Sequence, residues 1–322
     1  MGEVKEFKKK TADSRDVQLL INELSEAVLG KQQEIKLCTA CLLARGHLLI
    51  EDMPGMGKTT LVKSLGKAMG LTVSRIQFTN DLLPSDIIGT NVYDTKTQSF
   101  RFLKGPIFGH IVLGDELNRA TPKTQSAFLQ AMEERKITVD GTTWELPSPF
   151  FLIATQNPEE QIGTFPLPES QIDRFMMKVS LGFPDKSSEL QLLRRDNTTD
   201  ISEGLSAILH PQLVTYLQQE VQKVFASDSI TSYIQDILAA SRGPQAMDKW
   251  ISSGLSPRAG LLILSAGRAW AYMAGRDHML PEDIQAVAPY VIHHRLQAEQ
   301  NQNALSTLDQ AKQFIKKVNV PL

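Results

Sequence analysis

The segment "EDMPGMGKTT", Glu51 to Thr60, concentrates the residue types that hold a polyphosphate. Backbone N–H groups of a glycine-rich turn converge on an anion at a helix N-terminus, where the helix dipole also favours negative charge. Gly55 and Gly57 permit the close approach and the dihedrals this needs. Lys58 is expected to reach the β- and γ-phosphates of a nucleoside triphosphate such as ATP, and Thr59 to hold its Mg2+ ion. Pro54, Met56 and Thr60 complete the loop. The pattern departs from G-x-x-x-x-G-K-[ST] at one position, where Asp52 stands for the first glycine. A carboxylate about 6 Å from a phosphate costs about 3 kcal/mol per unit charge at an effective dielectric of ~20. Asp52 is therefore expected to face away from the anion. Aspartate also tolerates left-handed backbone better than most residues, which would let it turn the chain off the preceding strand.

A phosphate loop without an acid for the metal is half a site. "HIVLGDELNRA" (110–120) supplies an apolar run ending in Asp115 and Glu116. The first acid suits magnesium coordination through water. The second is placed to orient and deprotonate an attacking water, since phosphoryl transfer needs positioning and charge stabilisation more than covalent help. Successive side chains at a strand end point in different directions, so two adjacent carboxylates can serve two roles. Alone, either stretch could be a loop that happens to carry these residues; together and in this order they define a nucleotide site.

The elements that must position these residues can be read from periodicity. "HLLIE" (47–51) is an apolar run entering the glycine loop, and Leu61, Val62, Leu65 and Met69 follow at helical spacing before Gly70. "TVSRIQF" (72–78), "HIVLGD" (110–115) and "FFLIAT" (150–155) read as further strands, their apolar continuity suggesting burial on both faces in a parallel sheet. Thr121 caps a helix that starts at Pro122. "ITVDGTTWEL" (137–146) turns at Asp140-Gly141 as a β-hairpin, and residues 85–106 alternate like a second one. From about Lys186 onward the chain reads as successive amphipathic helices, one opened by Ser256-Pro257 with Leu261, Leu262, Leu264 and Trp270 as its apolar face, another by Pro281. The fold class is α/β followed by an all-α unit, with residues 1–184 as the nucleotide-binding core and 185–322 as a helical lid.

Composition narrows the function classes. The chain has 322 residues, 42% hydrophobic and 22% charged, enough for two cored units and too apolar for general disorder. With 34 Lys+Arg against 36 Asp+Glu the net charge is −2, so bulk electrostatics give no reason to expect nucleic acid. The charged start "MGEVKEFKKKTADSRD" resembles neither a signal peptide nor an anchor, and no apolar run is long enough to span a membrane. A soluble, cytoplasmic protein without direct membrane insertion is expected. Cys38 and Cys41 form a C-x-x-C within a helical pattern, with no second pair and no nearby histidine. They read as small buried residues rather than a redox or zinc site.

Four stretches together resemble the MoxR family of AAA+ ATPases over nearly the full length: "EDMPGMGKTT", "GPIFGHIVLGDELNRATPKTQSAFLQAMEE", "FFLIATQNPEEQIGTFPLPESQIDRF" and "GLSPRAGLLILSAGRAWA". The resemblance implies an AAA+ P-loop core with β-hairpin insertions and a helical lid. Asn157 is similar to a sensor-1 residue acting beside Glu116; a turn-capping asparagine is the alternative. Arg174 resembles an arginine finger that reaches the nucleotide of a neighbouring subunit, the alternative being a local ion pair with Asp173 or Glu169. Arg258 resembles a sensor-2 arginine that would tie the lid to the core through the nucleotide and Lys58, or else lies on a solvated face. Val28, Leu29 and Gly30, with Lys31, resemble a segment lining the adenine pocket, or a simple helix-end turn. Asn118 and Arg119 are candidates to relay between subunits. Gly114 replaces a more usual alanine before the acids, which is expected to weaken the strand.

The resemblance further implies a homo-oligomer, a hexameric ring, that hydrolyses ATP to remodel or mature partner proteins carrying von Willebrand factor A domains. A magnesium-chelatase-like motor subunit, a nucleotide-gated scaffold with little turnover and a DNA-dependent motor stand as alternatives.

Overall fold

The computed structural model describes residues 12–157, 163–194, 204–242, 254–296 and 306–320. Two helices come first, α1 (Ser14–Ala27) and α2 (Gln32–Leu43). Asp13 caps α1 by accepting from the Arg15 N–H, and Val17, Leu20, Ile21 and Leu24 form its buried stripe. The chain then alternates β1 (Leu48–Glu51), α3 (Lys58–Ala68), β2 (Val73–Gln77), α4 (Pro84–Ile88), the hairpin β3 (Gly89–Asp94) with β4 (Ser99–Lys104), β5 (Ile111–Asp115) and α5 (Pro122–Glu134). The hairpin β6 (Lys136–Val139) with β7 (Thr142–Glu145), β8 (Phe151–Gln156), α6 (Glu169–Ile172) and β9 (Met177–Val179) complete this part.

Five strands form a parallel sheet in the order β2-β5-β8-β1-β9. Because all run one way, their C-terminal ends share one edge, where open α/β sheets bind ligands. The central strands β1, β5 and β8 are buried along almost their whole length, as continuous apolar runs require. β2 departs from that expectation. It lies at the sheet edge, with Val73, Arg75 and Gln77 exposed. The two expected hairpins are present. Asp140 and Gly141 both have positive φ, 49° and 79°, the backbone a two-residue hairpin turn demands. The hairpins are joined by stacking of Phe102 on Trp144 and by the Asn91 Nδ2 donating to Asp140 Oδ2.

The later helices are α7 (Lys186–Arg194), α8 (Pro211–Lys223), α9 (Asp228–Ala240), α10 (Pro257–Met273), α11 (Pro281–Ile292) and α12 (Thr307–Lys317). Ser256 caps α10 through the Ala259 N–H, and Pro281 is the first residue of α11, as expected. The apolar face expected for α10 needs correction. Leu261 is 65% exposed, and Leu262, Leu264 and Trp270 are only partly buried. The buried stripe includes Ile263 and the small residues Ala259, Gly260, Ala266 and Gly267, which let neighbouring helices approach closely.

One hydrophobic core joins α1, α2 and α3 to α8 through α12, crossing the Pro184–Asp185 position. Gln218 Nε2 donates to the Leu42 carbonyl and Gln18 Nε2 to the Met273 carbonyl, sewing α8 to α2 and α1 to the end of α10. Cys38 and Cys41 are fully buried within that core, where desolvation pushes the Cys38 thiol up to about 12. That burial fits their reading as packing residues.

Candidate nucleotide site

Two cavities on different parts of the surface gather the residues singled out in the sequence. The first is a cleft of about 380 Å³ at the sheet's C-terminal edge, lined by Pro54, Gly55, Gly57, Lys58, Thr59, Thr60, Arg75, Gln77, Asp115 and Glu116. The glycine loop lies between β1 and α3. Gly55 and Gly57 have φ of 86° and 82°, and a Cβ at either would meet nothing within 4 Å. Their requirement is therefore conformational rather than steric within the chain, and the space stays open toward the α3 N-terminus. Lys58 Nζ donates to the Asp52 and Met53 carbonyls at 2.9 and 3.3 Å, bending back over its own loop.

The two acids that open the loop both turn away from the cleft. Asp52 is 6% exposed. Its Oδ1 accepts from Ser180 Oγ at 2.7 Å and the Gly182 N–H at 3.2 Å, and its Oδ2 from the Leu181 N–H at 2.5 Å. Glu51 pairs with Lys178 of β9 and accepts from Gln156 Nε2. The expected direction of Asp52 holds, but the left-handed backbone expected of it does not. Asp52 is not among the positive-φ residues, so its carboxylate is there for the 180–182 backbone rather than for a left-handed turn.

Asp115 ends β5 and Glu116 follows it. Thr155 of the neighbouring β8 fixes both: its hydroxyl donates to Asp115 Oδ1 at 2.6 Å and accepts from the Glu116 N–H at 2.9 Å. Glu116 has left-handed backbone, φ 58° and ψ 48°, a conformation that costs a non-glycine residue about 1–3 kcal/mol and aims its side chain apart from that of Asp115. β2 supplies a layer that the sequence reading missed. Arg75 Nη2 donates to Asp115 Oδ2 at 2.7 Å and to Gln77 Oε1 at 2.8 Å, and Gln77 Nε2 donates to Glu116 Oε2 at 2.7 Å. The alternation Arg75-Ile76-Gln77 was the available signal, two polar residues on one face of a strand read as buried.

Asn157 follows β8 by one residue, at the same edge, and its carbonyl accepts from Asn118 Nδ2 at 3.4 Å. Asn118 is buried and Arg119 Nε pairs with Glu116 Oε2 at 3.1 Å, so both turn inward to this chain's own site. Val28 is the buried cap of α1, and Gly30 has φ 71° with the 185–188 turn packed against it. Neither Val28, Leu29 nor Gly30 lines the Lys58 cleft. Lys31 is buried and donates to the Leu181, Gly182 and Phe183 carbonyls at 2.5–2.9 Å.

Arg174 and Arg258 lie in the second cavity, about 230 Å³, with Arg45, His47, Glu133 and Arg135. Glu133 bridges them: Oε2 is 3.1 Å from Arg174 Nη1 and Oε1 is 3.2 Å from Arg258 Nη1. The carboxylate that meets Arg174 here is thus Glu133, from α5. An arginine in the first turn of α10 opposes the helix dipole, and Glu133 provides the compensating anion. Arg258 does not reach the Lys58 cleft of its own chain, because α10 starts above the end of α5 rather than above the glycine loop.

A parallel sheet with a glycine loop after one central strand, adjacent acids after another and a helical unit packed behind defines a AAA+ P-loop ATPase fold. Residues 47–177 match the AAA family, ATPases associated with various cellular activities, and residues 245–315 match the AAA lid domain. Chaperone MoxR1 of Mycobacterium tuberculosis is 37% identical over 88% of this chain and 76% of its own length. Protein MoxR of Methylorubrum extorquens is 30% identical over 85% of each chain. A crystal structure of a candidate ATPase from Cytophaga hutchinsonii superposes with a TM-score of 0.88 at 38% identity, covering 96% of both chains. The chain belongs to the MoxR family of AAA+ ATPases.

Proposed function

We propose that this protein binds ATP and hydrolyses it at a site completed by a second copy of itself, using the cycle to remodel a partner protein. The observation that carries this is the separation of the two cavities. Lys58, Thr59, Asp115 and Glu116 converge in one, while Arg174 and Arg258, the cations that phosphoryl transfer needs, converge in the other. A ring in which one subunit's Arg174 and Arg258 face the next subunit's glycine loop joins the halves.

In this reading the Gly55–Thr60 backbone and Lys58 hold the triphosphate, and Lys58 leaves the Asp52 and Met53 carbonyls to do so. Thr59 and Asp115 line one cleft and offer the hard oxygen donors that suit Mg2+, with Asp115 acting through water. Bound there, the ion would neutralise charge on the β- and γ-phosphates. Glu116 orients and deprotonates the attacking water with Asn157 beside it, and Arg174 and Arg258 stabilise the charge that builds on the γ-phosphate. Val28, Leu29 and Gly30 lie outside the phosphate cleft, and we assign them to the side on which the base extends beyond it. The unit boundary is placed at Pro184–Asp185, where Asp52 and Lys31 both grip the adjoining 180–183 backbone. We extend this reading to a hexameric ring, a cytoplasmic location and partners with von Willebrand factor A domains; membership of the MoxR family and the chaperone name of one relative support it.

Subunit mixing tests the arrangement. Arg174→Ala and Glu116→Gln proteins are each expected to be nearly inactive, and their mixture to recover turnover at interfaces that pair an intact loop with an intact finger. Turnover equal to the sum of the two inactive proteins at every ratio would contradict the trans arrangement.

A further inference from the structure

Arg295 lies just past α11, far in sequence from the motifs above, yet its side chain is 5% exposed and wrapped by the segment that carries Arg174. Its Nε donates to Asp173 Oδ1 at 2.7 Å. Its Nη2 donates to the Asp173 carbonyl at 2.8 Å and the Phe175 carbonyl at 2.6 Å, and its Nη1 to the Met176 carbonyl at 3.4 Å. One planar guanidinium thus fixes the backbone on both sides of residue 174, a geometry that a lysine's single ammonium cannot reproduce. The other Asp173 oxygen, Oδ2, is 3.9 Å from Arg258 Nε, and Glu133 spans Arg258 and Arg174. Arg295, Asp173, Arg258, Glu133 and Arg174 form one chain of charge contacts. Its members come from α5, the segment after α6, the start of α10 and the segment after α11.

We infer that Arg295 is a positioning residue for Arg174: it locks the 173–176 backbone to the helical unit, so that Arg174 and Arg258 are presented to the neighbouring nucleotide as one rigid pair. The inference rests on the trans reading above. A finger must meet the γ-phosphate within a fraction of an ångström, and misplacement by about 1 Å can cost about 100-fold in rate. A backbone whose carbonyls accept three hydrogen bonds from a buried guanidinium, with a fourth to the Asp173 side chain, supplies that definition, whereas α6, a single turn of four residues, cannot do so alone.

The test is Arg295→Met, which keeps the apolar stem and removes every donor. Turnover is expected to fall about 10- to 100-fold. Affinity for a fluorescent ATP analogue is expected to stay within about twofold, since the variant's own cleft is untouched. Mixed with Glu116→Gln subunits, which carry an intact finger, the variant is expected to regain turnover, as Arg174→Ala does. Arg295→Lys is expected to restore only part of the loss. Should Arg295→Met fail to fold, Asp173→Asn replaces it and is expected to show the same pattern at smaller size. Wild-type turnover, or a loss that mixing does not recover while Arg174→Ala is recovered, would overturn the inference. Failure of Arg174→Ala itself to be recovered would overturn the trans reading, and the inference with it.

Discussion

Asp52 interrupts the expected glycine pattern, and its carboxylate satisfies two N–H groups and a hydroxyl in the 180–182 segment. Asp52→Gly, which restores the general motif, is therefore expected to lower stability by about 1–3 kcal/mol by stranding those donors. Its effect on ATP affinity should stay below about tenfold, because the carboxylate faces away from the cleft. Urea unfolding and nucleotide titration of the same variant check both halves; a large gain in affinity would place the carboxylate against the phosphates. Thr155 serves two acids with one hydroxyl. Thr155→Val keeps the shape and removes both bonds, and is expected to lower kcat about tenfold or more while leaving nucleotide binding nearly unchanged, which steady-state kinetics will show.

At the scale of elements, β5 shows how packing sets a sequence choice. A Cβ on Gly114 would lie 2.7 Å from Phe128 Cζ and 3.0 Å from Phe78 Cε2. Those rings form an edge-on pair 5.0 Å apart that fills the space an alanine would use. Gly114 is thus matched to the aromatic pair, and the strand weakness expected of it is offset by that contact. Gly114→Ala is expected to destabilise the fold by about 1–3 kcal/mol through overpacking, read as a lower thermal midpoint. The central strands and both hairpins were legible in the sequence, because long apolar runs and an Asp-Gly turn have few other solutions. β9 was not, since three residues carry too little periodicity to stand out beside the finger segment. The α10 face was misread because hydropathy favours leucine, whereas close helix packing selected alanine and glycine. The glycine loop and both acids could be read from order and spacing alone. Thr155 and Arg295 could not, because each acts through a neighbour that only the folded chain brings near.

For the whole molecule, buried histidines tie stability to pH. His47 is buried against Phe150 and Phe151, its Nδ1 accepts from the Leu152 N–H, and burial lowers its pKa to about 3. His293, buried between α11 and β9, is lowered to about 4 for the same reason, despite a hydrogen bond to the Lys178 carbonyl. Both are neutral in the fold and take up a proton on unfolding below about pH 6.5, so their contribution is complete above that pH and is lost as pH falls. One unit below 6.5 each is expected to cost about 1.4 kcal/mol. A urea midpoint clearly lower at pH 5.5 than at pH 7.5 would agree. Among the described residues no helix is long and apolar enough to cross a membrane. In the proposed reading its two clefts are half-sites, one to hold a triphosphate and one to stabilise its transfer, and the acid that divides binding from chemistry is Glu116. Phosphate release and ATP-analogue binding measured together on Glu116→Gln test this most directly. Retained binding with turnover at least about 100-fold below wild type is the predicted result; turnover at the wild-type rate would contradict it.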